Sequence, residues 1–590
     1  MHTRRTPLIV GALFAAAAAS LVAVVPPAPS WPQWAQNPQH TGFLDVRAQD
    51  LNRIIADFVY DPLVPQEQAL NGGDLLVHYQ VPLVEGNDVY MESKAGNYNK
   101  GTYSSQSWHQ NRLTWVNGVL TKVWTFDSDW VAPGSQNDFW EPVYHAVLAN
   151  GFIYDPGQGG TIFKLNKADG SVVKRINPFG KMINPNTYTV SPLTADNAGN
   201  VYYNVLRLQD NGPFYSQDAV DSWIVKVAPD DSITMRSYTG MNPAAPTGLC
   251  PGIFDGSQLP WPPSANAVPP MVPCGLQRVA LNIAPAISAD GQTLYTLTRG
   301  HFLIGSRHSF LLALSTADLS MQWAASLRDR FNDGCGVPPS QDGTLPPNGK
   351  PGGCRDLGPA GNAAILGRDP AQNTRGAGRV LDDASSTPTV APDGSILYGA
   401  YSRYNYAQGH LMRFSAAGQF LGSFNFGWDS TPAIFQHDAT YSIVIKNNHY
   451  SGLGSYCNVD AFCPTDRTST NQASPEEFFV TQLSPSMTVE WSFQNTNTLS
   501  CARQADGSLT CVSDHPHSFE WCVNAPVVDR LGIVYANSED GNLYAINQGG
   551  TLRQKLFQQL ALGAAYTPVS LGGDGKIYSQ NAGHLFVVSR

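Results

Sequence analysis

Charge is scarce in this chain. Only 14 % of its 590 residues are charged, and the acidic groups outnumber the basic by 46 to 36, a net charge of −10. Nucleic acids and anionic membranes are met with basic surfaces, so composition gives no reason to propose either partner. After residue 30 there is no apolar run long enough to span a bilayer and no long stretch of helical periodicity. The haem-attaching pattern CxxCH is missing, CxxC zinc spacing is missing, and no two of the nine cysteines are adjacent. GxSxG, HExxH, a phosphate loop and a dinucleotide fingerprint find no supporting context. The commonest signatures of hydrolases, metalloproteases and nucleotide enzymes are therefore excluded.

What the chain has in quantity is turn formers, with 54 glycines and 43 prolines, and aromatic residues at 11 %. These fall into a phrase that recurs eight times: a proline, an apolar pair, a turn, then an apolar strand bearing tyrosine or phenylalanine. The copies start at Pro82, Pro142, Pro192, Pro285, Pro388, Pro432, Pro526 and Pro568. A unit of this size cannot bury its own apolar face and must stack on its neighbours. Each repeat resolves into four short strands, with turns such as Asp290-Gly291, Asp393-Gly394 and Asp574-Gly575 between the first two. Radial repetition of four-stranded antiparallel units predicts an all-β, eight-bladed propeller over residues 31–590. The last repeat stops at Arg590 one strand short, and an open edge is a liability. Residues 54–60 (IIADFVY) are the expected closing strand.

Ahead of the propeller, Arg4 and Arg5 precede an apolar run over residues 8–25 and a PPAPS exit. This is the pattern of a secretory signal over residues 1–30, with an uncleaved anchor or a twin-arginine signal as alternatives. Export to a secreted or periplasmic location would make the cysteines disulfide formers. The close pairs are Cys250/Cys274, Cys335/Cys354, Cys457/Cys463 and Cys501/Cys511, with Cys522 left over and Cys511/Cys522 equally allowed. All nine fall in the three long intervals between repeats, which read as stapled loop insertions suited to recognition.

The repeats carry a family resemblance. The opening WPQWAQNPQHTG (residues 31–42) and the stretch ALSTADLSMQW (residues 313–323) resemble the entering segment and the tryptophan-docking repeat of quinoprotein-type propellers. That superfamily includes bacterial alcohol dehydrogenases that use pyrroloquinoline quinone (PQQ). Weaker docking copies end at Trp124 and Trp491, while the corresponding strands VVKRI and LRQKLF lack the tryptophan. The resemblance implies an eight-bladed fold and, for its enzymatic members, PQQ with Ca²⁺. The adjacent cysteines of many such dehydrogenases are not present, and no set of calcium-binding carboxylates matches by motif, so no catalytic residue is carried over.

In a propeller the segments leading into the innermost strands open on one face of the central channel. Here they supply His78, Trp140, Glu141, Tyr188, Asn282, Asp382, Asp383, Trp428, Asp429, Asn524 and Tyr566 as candidate ligand-binding residues. Carboxylates interspersed with rings suit a polar ligand with apolar faces, such as a sugar or a quinone; the plainer reading is turn capping. His515, His517 and Glu520 are weaker candidates for a metal, and Asp382-Asp383 for Ca²⁺ or acid–base work. Two functions of different class fit: a non-enzymatic, monomeric module that binds a protein, glycan or envelope component, and a divergent quinone-dependent oxidoreductase.

Overall fold

The computed structural model describes residues 29–70, 80–96, 102–133, 143–209, 219–251, 271–301, 309–327, 386–403, 408–426, 430–449, 477–521, 525–562 and 568–590. Eight antiparallel sheets of four or more strands follow one another along the chain, built from consecutive strands except that Arg53–Val59 joins the last and Ser30–Trp31 the first. The innermost strands are Leu83–Glu85, Val147–Ala149, Thr194–Ala195, Ala286–Ile287, Thr389–Val390, Ala433–His437, Val527–Val528 and Ser570–Leu571. Each begins at or within a few residues of a repeated proline. Proline donates no ladder hydrogen bond and so sits where a strand starts. The eight-bladed propeller read from the repeats is the fold.

The middle strands read as almost unbroken apolar runs because each blade is sandwiched between two others. Val201–Leu208, the second strand of blade 3, is buried at seven of its eight positions. Outermost strands such as Val172–Ile176 are mostly exposed. The tight turns work as their residues suggest: the carboxylates of Asp290, Asp393 and Asp574 each accept the N–H two residues on, at 2.9–3.1 Å. We call the face where the innermost strands begin the upper face and the face where they end the lower.

The closing strand is Arg53–Val59, which pairs antiparallel with His584–Ser589 and completes blade 8. Two of the insertions form separate hairpins, Leu249–Pro251 with Met271–Pro273 and Leu499–Arg503 with Leu509–Ser513. The second carries the Cys501–Cys511 disulfide across directly paired positions. Cys274 is also disulfide-bonded. The side chain of Cys250, and Cys335, Cys354, Cys457, Cys463 and Cys522, lie outside the described residues.

The seams between blades explain the docking tryptophans and their replacements. Trp323, on the outer strand of blade 4, lies flat on Gly418 in the outer turn of blade 5; a Cβ there would meet the indole at 2.6 Å. Its Nε1–H donates to the Ala416 carbonyl at 2.9 Å. Trp124 repeats this on blade 2, over Gly170 and to the Lys167 carbonyl, and Trp491 rests against Gly550 of blade 7. Where tryptophan is missing a cation reaches the equivalent turn. Lys174 of the VVKRI strand pairs with Asp231 at 3.2 Å, and Arg236 donates from Nε to the Asp318 carbonyl at 2.8 Å.

Candidate functional site

The segment resembling the entering stretch of quinoproteins does more than lead into blade 8. It runs around the lower mouth of the channel and touches every blade in chain order. Trp31 pairs with Val84 of blade 1, and Pro32 accepts the Leu148 N–H of blade 2 at 2.9 Å. The Gln33 side chain exchanges two bonds with the Ala195 backbone of blade 3, at 2.7 and 3.2 Å. Carbonyls of Pro38, Gln39, Thr41 and Gly42 then accept N–H groups of Ile287, Val390, Ile434 and Val528 at 2.7–2.9 Å, one from each of blades 4 to 7. Gln49 donates to Gly575 of blade 8 at 2.8 Å. Residues 31–49 are therefore a plug that occupies the lower end of the channel.

Sharp local geometry lets so short a segment make this circuit. Ala35, Gln36 and His40 take left-handed φ of 46°, 80° and 58°. Gly42, at 59°, passes so close to blade 7 that a Cβ would lie 2.7 Å from the Pro526 carbonyl. His40 is fully buried. Its Nδ1–H donates to the Pro388 carbonyl at 2.8 Å, and Nε2 faces Thr194 Oγ1 at 3.4 Å, tying blade 5 to blade 3. Burial pushes its imidazole down to about 4, only partly offset by the Pro388 bond, so the ring is neutral at pH 7.

Trp34 rises from the plug along the axis. It packs with Ala284 of blade 4 and Ala525 of blade 7, and its indole meets His145 of blade 2 edge-on at 5.8 Å. Contacts to three blades spread around the ring place the indole at the centre, level with the starts of the innermost strands. The buried Trp34 Nε1–H has no hydrogen-bond partner. Around it the described residues that begin the innermost strands are uncharged: Gln80, His145, Asn282, Thr387, Ser430 and Thr431, all buried. The Ser430 hydroxyl is likewise unpartnered. Burial drives His145 down to about 3, and both its nitrogens are engaged, Nδ1–H with the Ala146 carbonyl and Nε2 with the Val81 N–H. A ring so placed orients its neighbours and is not a general base near neutrality.

Of the residues singled out in the sequence, Tyr188 lies half-buried on the strand Thr187–Thr189, packed against the main core. Asn282 is buried at a left-handed φ of 62°, and its N–H bridges blades by donating to Val190 at 2.8 Å. His78, Trp140, Glu141, Asp382, Asp383, Trp428, Asp429, Asn524 and Tyr566 lie outside the described residues. His515 stacks on Phe519 with ring centroids 4.0 Å apart, and its Nδ1 pairs with Asp514 at 2.7 Å. Glu520 faces Asn448 instead, at 3.4 Å. Among the described residues no three His, Cys, Asp or Glu side chains gather into a group that could hold a metal ion.

Sequence reading missed the plug and a buried polar layer between blades 1 and 2. There Lys94 is held at 2.9 Å by Asp61 and also by Glu67. Nearby, Glu92 accepts the Gln80 N–H at 2.6 Å, and Asp155 accepts the Tyr144 hydroxyl. Burial raises both carboxyl groups. Asp155 is pushed up to about 8, and Glu92 goes well above the usual carboxylate range with help from the charges of Asp155 and Asp61. A polar residue inside an otherwise apolar strand (YMES, FIYD) was the available signal.

No family model matches the chain, and no curated protein matches it. Among solved structures, the quinohemoprotein alcohol dehydrogenase of Comamonas testosteroni aligns over 95 % of this chain and 80 % of its own, with 11 % identity and a TM-score of 0.50. A europium-containing methanol dehydrogenase aligns over 94 % of this chain and 89 % of its own, at 11 % identity and a TM-score of 0.47. BamB from Moraxella catarrhalis covers 91 % and 97 %, at 10 % identity and 0.38. The likeness to the first of these is one of fold: this chain has the eight-bladed propeller architecture of the quinoproteins.

Proposed function

We propose that this chain is an exported binding module that takes a neutral, hydroxyl-rich ligand with an apolar face, a glycan being the fitting class, at the upper mouth of its blind channel. The observation that carries the reading is Trp34: a flat indole on the axis, with an unspent N–H and a surround of hydroxyl, amide and neutral imidazole groups. Aromatic faces take the C–H faces of sugar rings, while hydroxyl and amide groups fix orientation. The plug leaves the upper face as the side from which a ligand reaches the axis. Placement outside the cytoplasm rests on the signal-like residues 1–30.

A divergent quinone-dependent oxidoreductase is the second reading, and the fold likeness to an alcohol dehydrogenase favours it. One set of thermal-shift titrations on the purified full chain separates the two. Neutral oligosaccharides are expected to raise the melting temperature of the wild type, and Trp34→Phe, which keeps a ring but removes the N–H, to bind them at least 10-fold more weakly. A stabilising shift and an absorbance band with PQQ plus Ca²⁺, and none with any oligosaccharide, would overturn the binding-module reading.

A further inference from the structure

Two arginines toward the upper face of blades 2 and 3 are held alike and finished differently. Arg175, on the outer strand of blade 2, donates from Nε to Thr161 Oγ1 at 3.0 Å and lies over the Phe163 ring at 4.8 Å. Its two terminal nitrogens take the Asp129 carboxylate as a fork, at 2.6 and 3.3 Å, and one of them also reaches the Gln158 carbonyl at 2.9 Å. Arg207 stands near the end of the second strand of blade 3, which runs antiparallel to the innermost strand and so finishes toward the upper face. Its Nε donates to the buried Thr187 Oγ1 at 2.8 Å. Its guanidinium sits over two rings, Phe179 at 4.7 Å and Trp223 at 4.9 Å, which meet each other edge-on with centroids 4.9 Å apart. Arg207 and both rings are partly exposed. The bond to Thr187 is the one its side chain makes among the described residues, and its two terminal nitrogens have no partner there.

The stack and the Nε bond hold this fork in place before anything binds to it. A planar guanidinium fixed in that way loses little freedom on taking a second planar group, and a carboxylate is the matched one. Asp129 on Arg175 shows that occupant within this same chain. Asp221 lies directly across the ladder from Arg207 but forms no ion pair with it. Its carboxylate instead accepts from the Ser222 N–H and the Ser237 and Thr239 hydroxyls at 2.6–2.7 Å. A negative charge beside the fork repels a doubly charged phosphate more than a singly charged carboxylate.

We propose that Arg207 anchors a second ligand site on blade 3, off the channel axis, which takes the carboxylate of a small organic acid. The proposal does not rest on the Trp34 reading, because the two sites report through different indoles. The test is the fluorine NMR spectrum of the full-length protein labelled with 5-fluorotryptophan, with Trp223→Phe to identify the resonance beside Arg207. D-galacturonate and N-acetylalanine are titrated separately, with D-galactose and inorganic phosphate as comparisons. Either carboxylate shifting the Trp223 resonance saturably supports the site, and the tighter of the two tells whether sugar acids or chain-terminal carboxylates are preferred. Arg207→Lys, which keeps the charge but loses the fork, and Arg207→Gln are each expected to bind about 10-fold more weakly; their melting temperatures report the fold separately. Arg530→Gln, which removes an exposed cation elsewhere, is expected to bind like the wild type. No shift of Trp223 with either carboxylate, binding unchanged in both Arg207 variants, an equal loss in Arg530→Gln, or tighter binding of phosphate would each overturn the assignment.

Discussion

The two ends of the channel use their polar groups in opposite ways. At the lower end the plug spends almost everything it has: a hydrogen-bonded contact with each of eight blades, and a histidine whose two nitrogens face three residues on two blades. At the upper end the Trp34 N–H and the Ser430 hydroxyl are held in reserve, buried and unpaired. Satisfied networks rigidify a fold, whereas unsatisfied groups in a preformed concavity await a partner. Under the proposed function, this difference gives stability to the lower end and recognition to the upper.

Removing the plug should have the largest effect. It makes roughly ten hydrogen bonds worth about 1 kcal/mol each, comparable with the whole stability of a typical domain. A chain lacking residues 29–43 is expected to lose cooperative thermal unfolding by calorimetry. Next comes Trp34→Ala, expected to cost about 3–5 kcal/mol in denaturant unfolding as a large buried ring is lost. Acid should loosen the plug at His40, and also His145 beside Trp34, since burial depresses both rings. His40 is depressed in the fold, so its contribution is present above its unfolded value near 6.5 and is lost as pH falls toward about 4. That loss amounts to about 3 kcal/mol, and His40→Asn should flatten the stability–pH profile over that window. The smallest change is Gly42→Ala, expected to cost about 1–3 kcal/mol because its Cβ would strike the Pro526 carbonyl. If His40→Asn or Gly42→Ala weakened oligosaccharide binding as much as Trp34→Phe, the division between the ends would fail.

The repeat made most of the fold legible. Eight prolines marked eight innermost strands, and the missing outer strand of the last repeat pointed to residues 54–60, against Arg53–Val59 in the structure. Docking tryptophans were readable because the ring and the facing glycine both leave sequence traces. Lys174 and Arg236, which serve the seams that lack a tryptophan, were not, since a surface cation looks the same whether or not it docks. The plug escaped notice for a physical reason: left-handed Ala35, Gln36 and His40 follow no period, and the bonds that tie it to the blades go to residues more than fifty positions away. Tyr188 and Asn282 were picked as a rim because of where the chain turns; in the structure Tyr188 packs against the main core, while Asn282 is one of the buried groups that begin the innermost strands.

The most direct measurement is the fluorine NMR spectrum of the protein labelled with 5-fluorotryptophan, recorded during titration with a neutral oligosaccharide. Trp34→Phe identifies the Trp34 resonance among the 13 tryptophans of the chain. A ligand seated at the upper mouth should shift that resonance saturably and leave Trp323, Trp124 and Trp491 in the blade seams unmoved. A ligand that binds while the Trp34 resonance stays where it was would contradict the account.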